Sequence, residues 1–137
     1  MYNFLLMAHS GWRWLVLLFV VVAAIKMVVG WLGKQKWTDL DMTLVRVTHI
    51  VVAVQVALGI ILYILFLIEG GRGRPIGGFT AGHVVPALLA YGGVLFAAIR
   101  ARKASSWPDK FRSAAIGLIA AIILISGALM AVGGIFA

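Results

Sequence analysis

The 137-residue chain has no cysteine. That excludes disulfides, cysteine-ligated iron–sulfur clusters, blue-copper centres and covalently attached c-type haem. Any haem is therefore held non-covalently. Negative charge is scarce as well: four Asp and Glu stand against twelve Lys and Arg, for a net charge of +8. Charged residues make up 12% of the chain, against roughly 25% in soluble domains. Apolar residues take their place, at 64%, and the mean hydropathy is +1.10. A soluble domain this small leaves too much surface exposed to hide that many apolar side chains. Lipid is the remaining solvent.

Four continuous apolar runs are long enough to cross a bilayer, which takes about 20 residues per helix. They cover about residues 4–32, 44–68, 80–102 and 113–136, and none alternates as a barrel strand does. The expected fold is all-α: a single four-helix transmembrane bundle over residues 1–137, with both termini on the same side. No Lys or Arg precedes the first run, which is also longer than the core of a signal peptide, so it reads as a retained helix.

Loops one and three share one side and hold Lys34, Lys36, Arg100, Arg102, Lys103, Lys110 and Arg112 against Asp39, Asp41 and Asp109. The other side has Arg72, Arg74 and Glu69 in loop two. The basic excess assigns loops one and three to the cytoplasm and both termini to the non-cytoplasmic side. Multi-pass insertion in a bacterial inner membrane is the expected localisation. On a soluble protein such a charge would suggest nucleic acid. Here topology accounts for it, and no nucleic-acid partner is expected. Trp12 and Trp14 near one end, and Trp31, Trp37 and Trp107 near the other, form interfacial belts. Lys26, inside the first run, snorkels toward the basic side. Loop two, 69–79, is rich in glycine without the strand and spacing of a nucleotide cradle, and reads as a flexible external loop. Trp37-Thr38-Asp39 and Trp107-Pro108-Asp109 are a faint repeat between loops one and three.

Helices in lipid associate through close packing of small residues. Helix four carries Ser113, Gly117, Ala120, Ala121, Gly127, Ala128 and Ala131; helix three carries Ala90, Gly93 and Ala97. On helix two, Thr48, Gln55 and Gly59 share a stripe. A Gln in hydrocarbon needs a partner, and Gln55 reads as a bond between helices, with contact to a cofactor edge as the less favoured alternative.

Histidine carries the remaining chemistry. Ionisable groups inside membrane helices are rare and usually functional, and His9, His49 and His83 fall one each on helices one, two and three. His9 and His83 lie toward the non-cytoplasmic side; His49, close to Arg46, lies toward the other. Two imidazoles on one haem iron need similar depth, so His9 and His83 are the expected pair, with His49 a less favoured cofactor contact. Arg13, at i+4 from His9, shares its face and suits a haem propionate; Arg72 and Arg74 are additional candidates. Pro86 is expected near the first turn of helix three, which leaves His83 in the loop or on the helix. A copper site from His9, Met7 and His83 is disfavoured, because positions i and i+2 do not face together.

The opening His9-Ser10-Gly11-Trp12-Arg13-Trp14-Leu15 resembles that of small four-helix cytochrome-b-like integral membrane proteins. Thr48-His49, Leu58-Gly59 and Leu62-Tyr63 are similar to that group's second helix, and Gly82-His83 falls at its third histidine. Its usual acidic residue before that histidine is Gly82 here, and its Pro/Trp-rich ending is absent. The resemblance implies haem b and electron transfer, with His9 and His83 as axial ligands and quinone as a redox partner. The alternative is a cofactor-free accessory subunit of a respiratory or photosynthetic complex, packed against other membrane subunits or against copies of itself. Both readings make the chain a carrier or a subunit rather than a stand-alone enzyme.

Overall fold

A computed structural model describes residues 1–134. Four helices dominate: α1 (Tyr2–Leu32), α2 (Asp39–Ile68), α3 (Ile76–Lys103) and α4 (Trp107–Met130). They have 31, 30, 28 and 24 residues. At about 1.5 Å per residue each exceeds a hydrocarbon core of roughly 30 Å. The expected last residues of helix four, to 136, lie outside the described ones. Only 22–39% of each helix's most apolar window is buried inside the protein. The remaining Leu, Ile, Val and Phe side chains face outward, as in a multi-pass integral membrane protein whose helices meet lipid.

Polar signals that hydropathy does not register set the helix ends. The apolar run places the start of α2 at about residue 44, but the helix begins at Asp39. Thr38 caps it: its hydroxyl accepts from the Asp41 amide at 3.4 Å, and the Asp41 carboxylate accepts from the Thr38 amide at 2.9 Å. This reciprocal box satisfies donors that a helix N-terminus leaves open. Ser106 caps α4 in one direction only, its hydroxyl accepting from the Asp109 amide at 3.3 Å. The repeat of loops one and three is therefore a repeat of caps, Thr38…Asp41 and Ser106…Asp109. Trp37 precedes its cap whereas Trp107 follows it, so the tryptophans are not equivalent.

Loop two is shorter than expected, because Ile76–Phe79 already form the first turn of α3. The turn before it needs glycine at Gly71. Its φ is +87°, and an added Cβ would sit 2.7 Å from the Arg74 carbonyl oxygen. Pro86 does not mark the start of α3, which runs ten residues upstream of it. Proline inside a helix removes a donor and presses on the preceding turn. That turn, Thr80–Val84, is a wider π-helical one, and His83 belongs to it.

The helices form a four-membered ring. α1 neighbours α2 and α4, and α3 neighbours α4 and α2, so α1 and α3 face each other across the axis. The closest contact is between α3 and α4, where Gly93 and Gly117 bring the backbones together. α1 and α2 are tied by the Trp12 indole N–H, which donates to the Val51 carbonyl at 2.8 Å. Arg72 lies over the Tyr2 ring at 4.0 Å and His83 reaches Ala128. The N-terminus, loop two and the end of α4 therefore share one end of the bundle.

Lys26 does extend toward the opposite end, and there it meets a partner. Its Nζ lies 2.8 Å from Oδ1 of Asp41, a carboxylate buried completely, and 3.2 Å from the Gln35 side-chain oxygen. A single carboxylate thus caps α2 and anchors α1. Asp41→Asn keeps the shape and removes the charge. It is expected to cost about 2 kcal/mol, the worth of a charge-assisted bond lost at a buried site. Unfolding of the detergent-solubilised protein measures it; a change below about 0.5 kcal/mol, the scale of surface substitutions, refutes it.

Candidate functional site

On the axis at the N-terminal end of the bundle, all four helices contribute to one polar cluster. His9 comes from α1, Gln55 and Gly59 from α2, His83 from α3, and the Ala128 carbonyl from α4. The two imidazole centroids are 6.5 Å apart, with ring planes at 76°. The pairing of α1 and α3 across the ring of helices is what lets side chains from these two helices meet.

The orientation of His83 has identifiable causes. Its Nδ1 lies 2.8 Å from the Ala128 carbonyl oxygen. A carbonyl only accepts, so Nδ1 carries the proton and Nε2 keeps its lone pair. The Phe79 ring lies beside it, centroids 5.2 Å apart, and Phe66 backs Phe79 at 4.7 Å. The π turn that holds His83 is pinned at its start. The Thr80 hydroxyl donates to the Ile76 carbonyl at 2.7 Å and accepts from the Tyr63 hydroxyl, also at 2.7 Å. Single π turns inside α-helices are frequent at functional sites.

His9 is positioned differently. Its ring packs on the bare backbone of α2 at Gly59, where an added Cβ would lie 3.1 Å from His9 Cε1. The Gln55 side-chain nitrogen is 3.5 Å from His9 Nε2. With that amide donating, Nδ1 bears the ring proton, and Nδ1 is buried without a partner. With the amide reversed, the proton moves to Nε2 and the lone pair on Nδ1 is the unmet group. One ring nitrogen is unsatisfied either way. The Gln55 side-chain oxygen is likewise buried without a partner.

The other expected residues divide. Arg13 follows His9 by one turn, half-buried, with its guanidinium 6.0 Å from the Trp14 ring centroid. Arg72 pairs with Glu69, and Arg74 lies over Phe79 at 5.7 Å, so both are at the histidine end. Met7 points outward at 74% exposure and is not part of the cluster. His49 is elsewhere: its Nε2 is 3.0 Å from the Tyr91 hydroxyl, with the two rings stacked. Among the described residues no group of three or more His, Cys, Asp or Glu is arranged to hold a metal ion.

Gln55 and Gly59 are the site residues that reading the chain assigned first to packing, with a cofactor edge as the less favoured contact for Gln55. Their shared stripe with Thr48 was visible, but its direction was not. Thr48 is the packing member, buried, its hydroxyl donating to the Leu44 carbonyl at 2.7 Å.

Comparison of the chain with protein-family models, with curated proteins and with solved structures returns no match.

Proposed function

We propose that this chain is a b-type haem membrane protein that carries electrons, with His9 and His83 as the residues that would hold the haem. The observation that carries the proposal is the meeting of these two rings on the bundle axis. Two metal–imidazole bonds of about 2 Å each, with the ring radii added, require centroids about 6 Å apart; the observed separation is 6.5 Å.

The donor set supports a haem over a bare ion. A lone zinc ion takes three or four protein ligands, and only two imidazoles converge here. Two suffice where a macrocycle supplies the other donors. His83 has the partner that a ligating imidazole needs: Nδ1–H donates to a backbone carbonyl, which fixes the tautomer and leaves Nε2 to bind. His9 has a buried nitrogen that nothing in the protein satisfies. Gly59 supplies a side-chain-free wall beside it, and Gln55 an amide for a polar edge. Arg13 is the residue for a propionate. When bound, haem supplies reversible one-electron chemistry, tuned by its ligands and burial. The chain's own residues orient the rings, His83 through the Ala128 carbonyl and His9 against Gly59.

In this reading the histidine end faces the non-cytoplasmic side and the basic end the cytoplasm of a bacterial inner membrane. A quinone or a neighbouring membrane subunit would be the redox partner. The test is an absorption spectrum of the full chain, purified from haem-replete cells. Soret and α bands that sharpen on reduction are the expected result; a colourless protein overturns the proposal.

A second reading, a cofactor-free accessory subunit or homo-oligomer, draws on Gly92 and Gly127. An added Cβ at either would meet nothing within 4 Å, so both present flat, open surface to another helix. Co-purification with larger subunits and no visible spectrum distinguish it.

A further inference from the structure

A second polar constellation lies near the opposite end of the bundle, between α2 and α3, and the haem site does not use it. A cavity of about 100 Å³ is lined there by Met42, Arg46, His49, Leu95, Ala98 and Arg102. Arg46 and Arg102 are both exposed. Among the described residues the ion pairs join Lys26 to Asp41, Arg72 to Glu69 and Arg112 to Asp109. Among the described residues neither Arg46 nor Arg102 has a carboxylate partner. His49 stands behind them, held by the Tyr91 hydroxyl at 3.0 Å.

We propose that this cavity binds the phosphate of an anionic phospholipid, with the acyl chains lying against α2 and α3. Charge selects the class of ligand. Two uncompensated guanidiniums converge on a small cavity, and a guanidinium is matched to phosphate oxygens as a fork. A zwitterionic headgroup offers the same phosphate but adds a choline cation, which two guanidiniums at one small cavity repel.

Depth agrees with a lipid. Arg46 is seven residues into α2, about 10 Å along the helix, and Arg102 is in the last turn of α3. Long arginine stems at such positions direct their heads to the interface, where phosphates lie. Met42 and Leu95 continue the cavity wall as apolar surface, suited to the first segment of an acyl chain. The same end carries the protein's basic excess, and basic pockets between membrane helices on the cytoplasmic side are recurrent lipid-headgroup sites.

The full chain in detergent is titrated with dioleoyl phosphatidylglycerol, with dioleoyl phosphatidylcholine or with inorganic phosphate, and read by native mass spectrometry and thermal unfolding. Phosphatidylglycerol is expected to remain as a one-lipid adduct and to raise the melting temperature; phosphatidylcholine and inorganic phosphate are not. R46Q/R102Q is expected to weaken the adduct at least about tenfold, since each charge-assisted bond is worth about that factor. R46K/R102K, which keeps the charge without the fork, is expected to retain the preference for phosphatidylglycerol at reduced affinity. K34Q/K36Q, with the same charge loss nearby, is expected to leave binding unchanged. Equal binding of phosphatidylcholine, or an equal loss in K34Q/K36Q, overturns the site. Equal stabilisation by inorganic phosphate assigns it to a free anion and overturns the lipid. Displacement of phosphatidylglycerol by a ubiquinone at equal concentration overturns it in favour of a quinone. None of these readouts depends on haem.

Discussion

Replacing either His9 or His83 with alanine is expected, on the proposed haem reading, to remove the reduced-minus-oxidised spectrum of the purified protein, whereas His49→Ala is expected to leave it at full intensity. The contrast comes from placement. His9 and His83 are 6.5 Å apart on the bundle axis, and loss of one leaves a single imidazole from the opposite helix. His49 is bonded to Tyr91 near the other end and does not approach them. The helix content of each variant, measured by circular dichroism, separates ligand loss from unfolding. Neither change removes a core residue, because the packed core consists of other side chains from all four helices. A His83→Ala variant with an undiminished spectrum would dismiss the ligand assignment. His9→Met provides a graded test. Thioether in place of imidazole raises the potential of a b-type centre, as Met/His ligation does, so a positive shift in midpoint potential is expected, with haem retained.

Gly117→Leu is expected to be strongly disruptive to the fold. A Cβ at Gly117 would lie 2.5 Å from the Gly93 carbonyl oxygen, and one at Gly93 would lie 2.7 Å from the Gly117 oxygen. Both obstacles are backbone, so no side-chain rotation relieves them; the helices have to separate. Overpacking typically costs 1–3 kcal/mol. A whole leucine at a backbone contact belongs at or above the upper end, about 3 kcal/mol or more. Separation of α3 from α4 is also expected to break the bond from His83 to Ala128 and, on the proposed reading, to lower haem affinity together with stability. Gly127→Leu serves as the control. An added Cβ there meets nothing within 4 Å, and little change in monomer stability is expected. Unfolding in mixed detergent compares the two. Equal stability of Gly117→Leu and the parent would mean that α3 and α4 are not in close contact in the membrane.

The helix-four stripe shows how far a sequence pattern reaches. Gly117 and Gly127 share it and look alike in one dimension. In three, one is clamped against Gly93 and the other faces open space, because an apolar bilayer exerts no pattern that marks which face of a helix is inward. In water, polar residues on the outer face would have marked it. Gln55 and Gly59 were ambiguous for the same reason. The caps showed in the chain only as the faint repeat of loops one and three: Thr38 and Ser106 lie six and seven residues before the apolar runs begin, where hydropathy registers nothing. Pro86 misled in a specific way. It suggested a helix start, whereas the wide turn over Thr80–Val84 accommodates it inside a continuous helix.

Length and apolarity of four runs determined by themselves that the chain is all-helical and built to cross a membrane, since lipid permits no other way to satisfy so much backbone. Spacing along the helices determined that His9 and His83 occupy similar depth and that His49 does not, because rise per residue is constant. Rotation about each helix axis and the order of helices around the ring were decided only in the tertiary structure. They depend on close contacts such as Gly93 with Gly117, which are set by the shapes of residues distant in sequence. Those two quantities bring His9 and His83 together and place Gln55 beside them, and they aim Arg46 and Arg102 into one cavity.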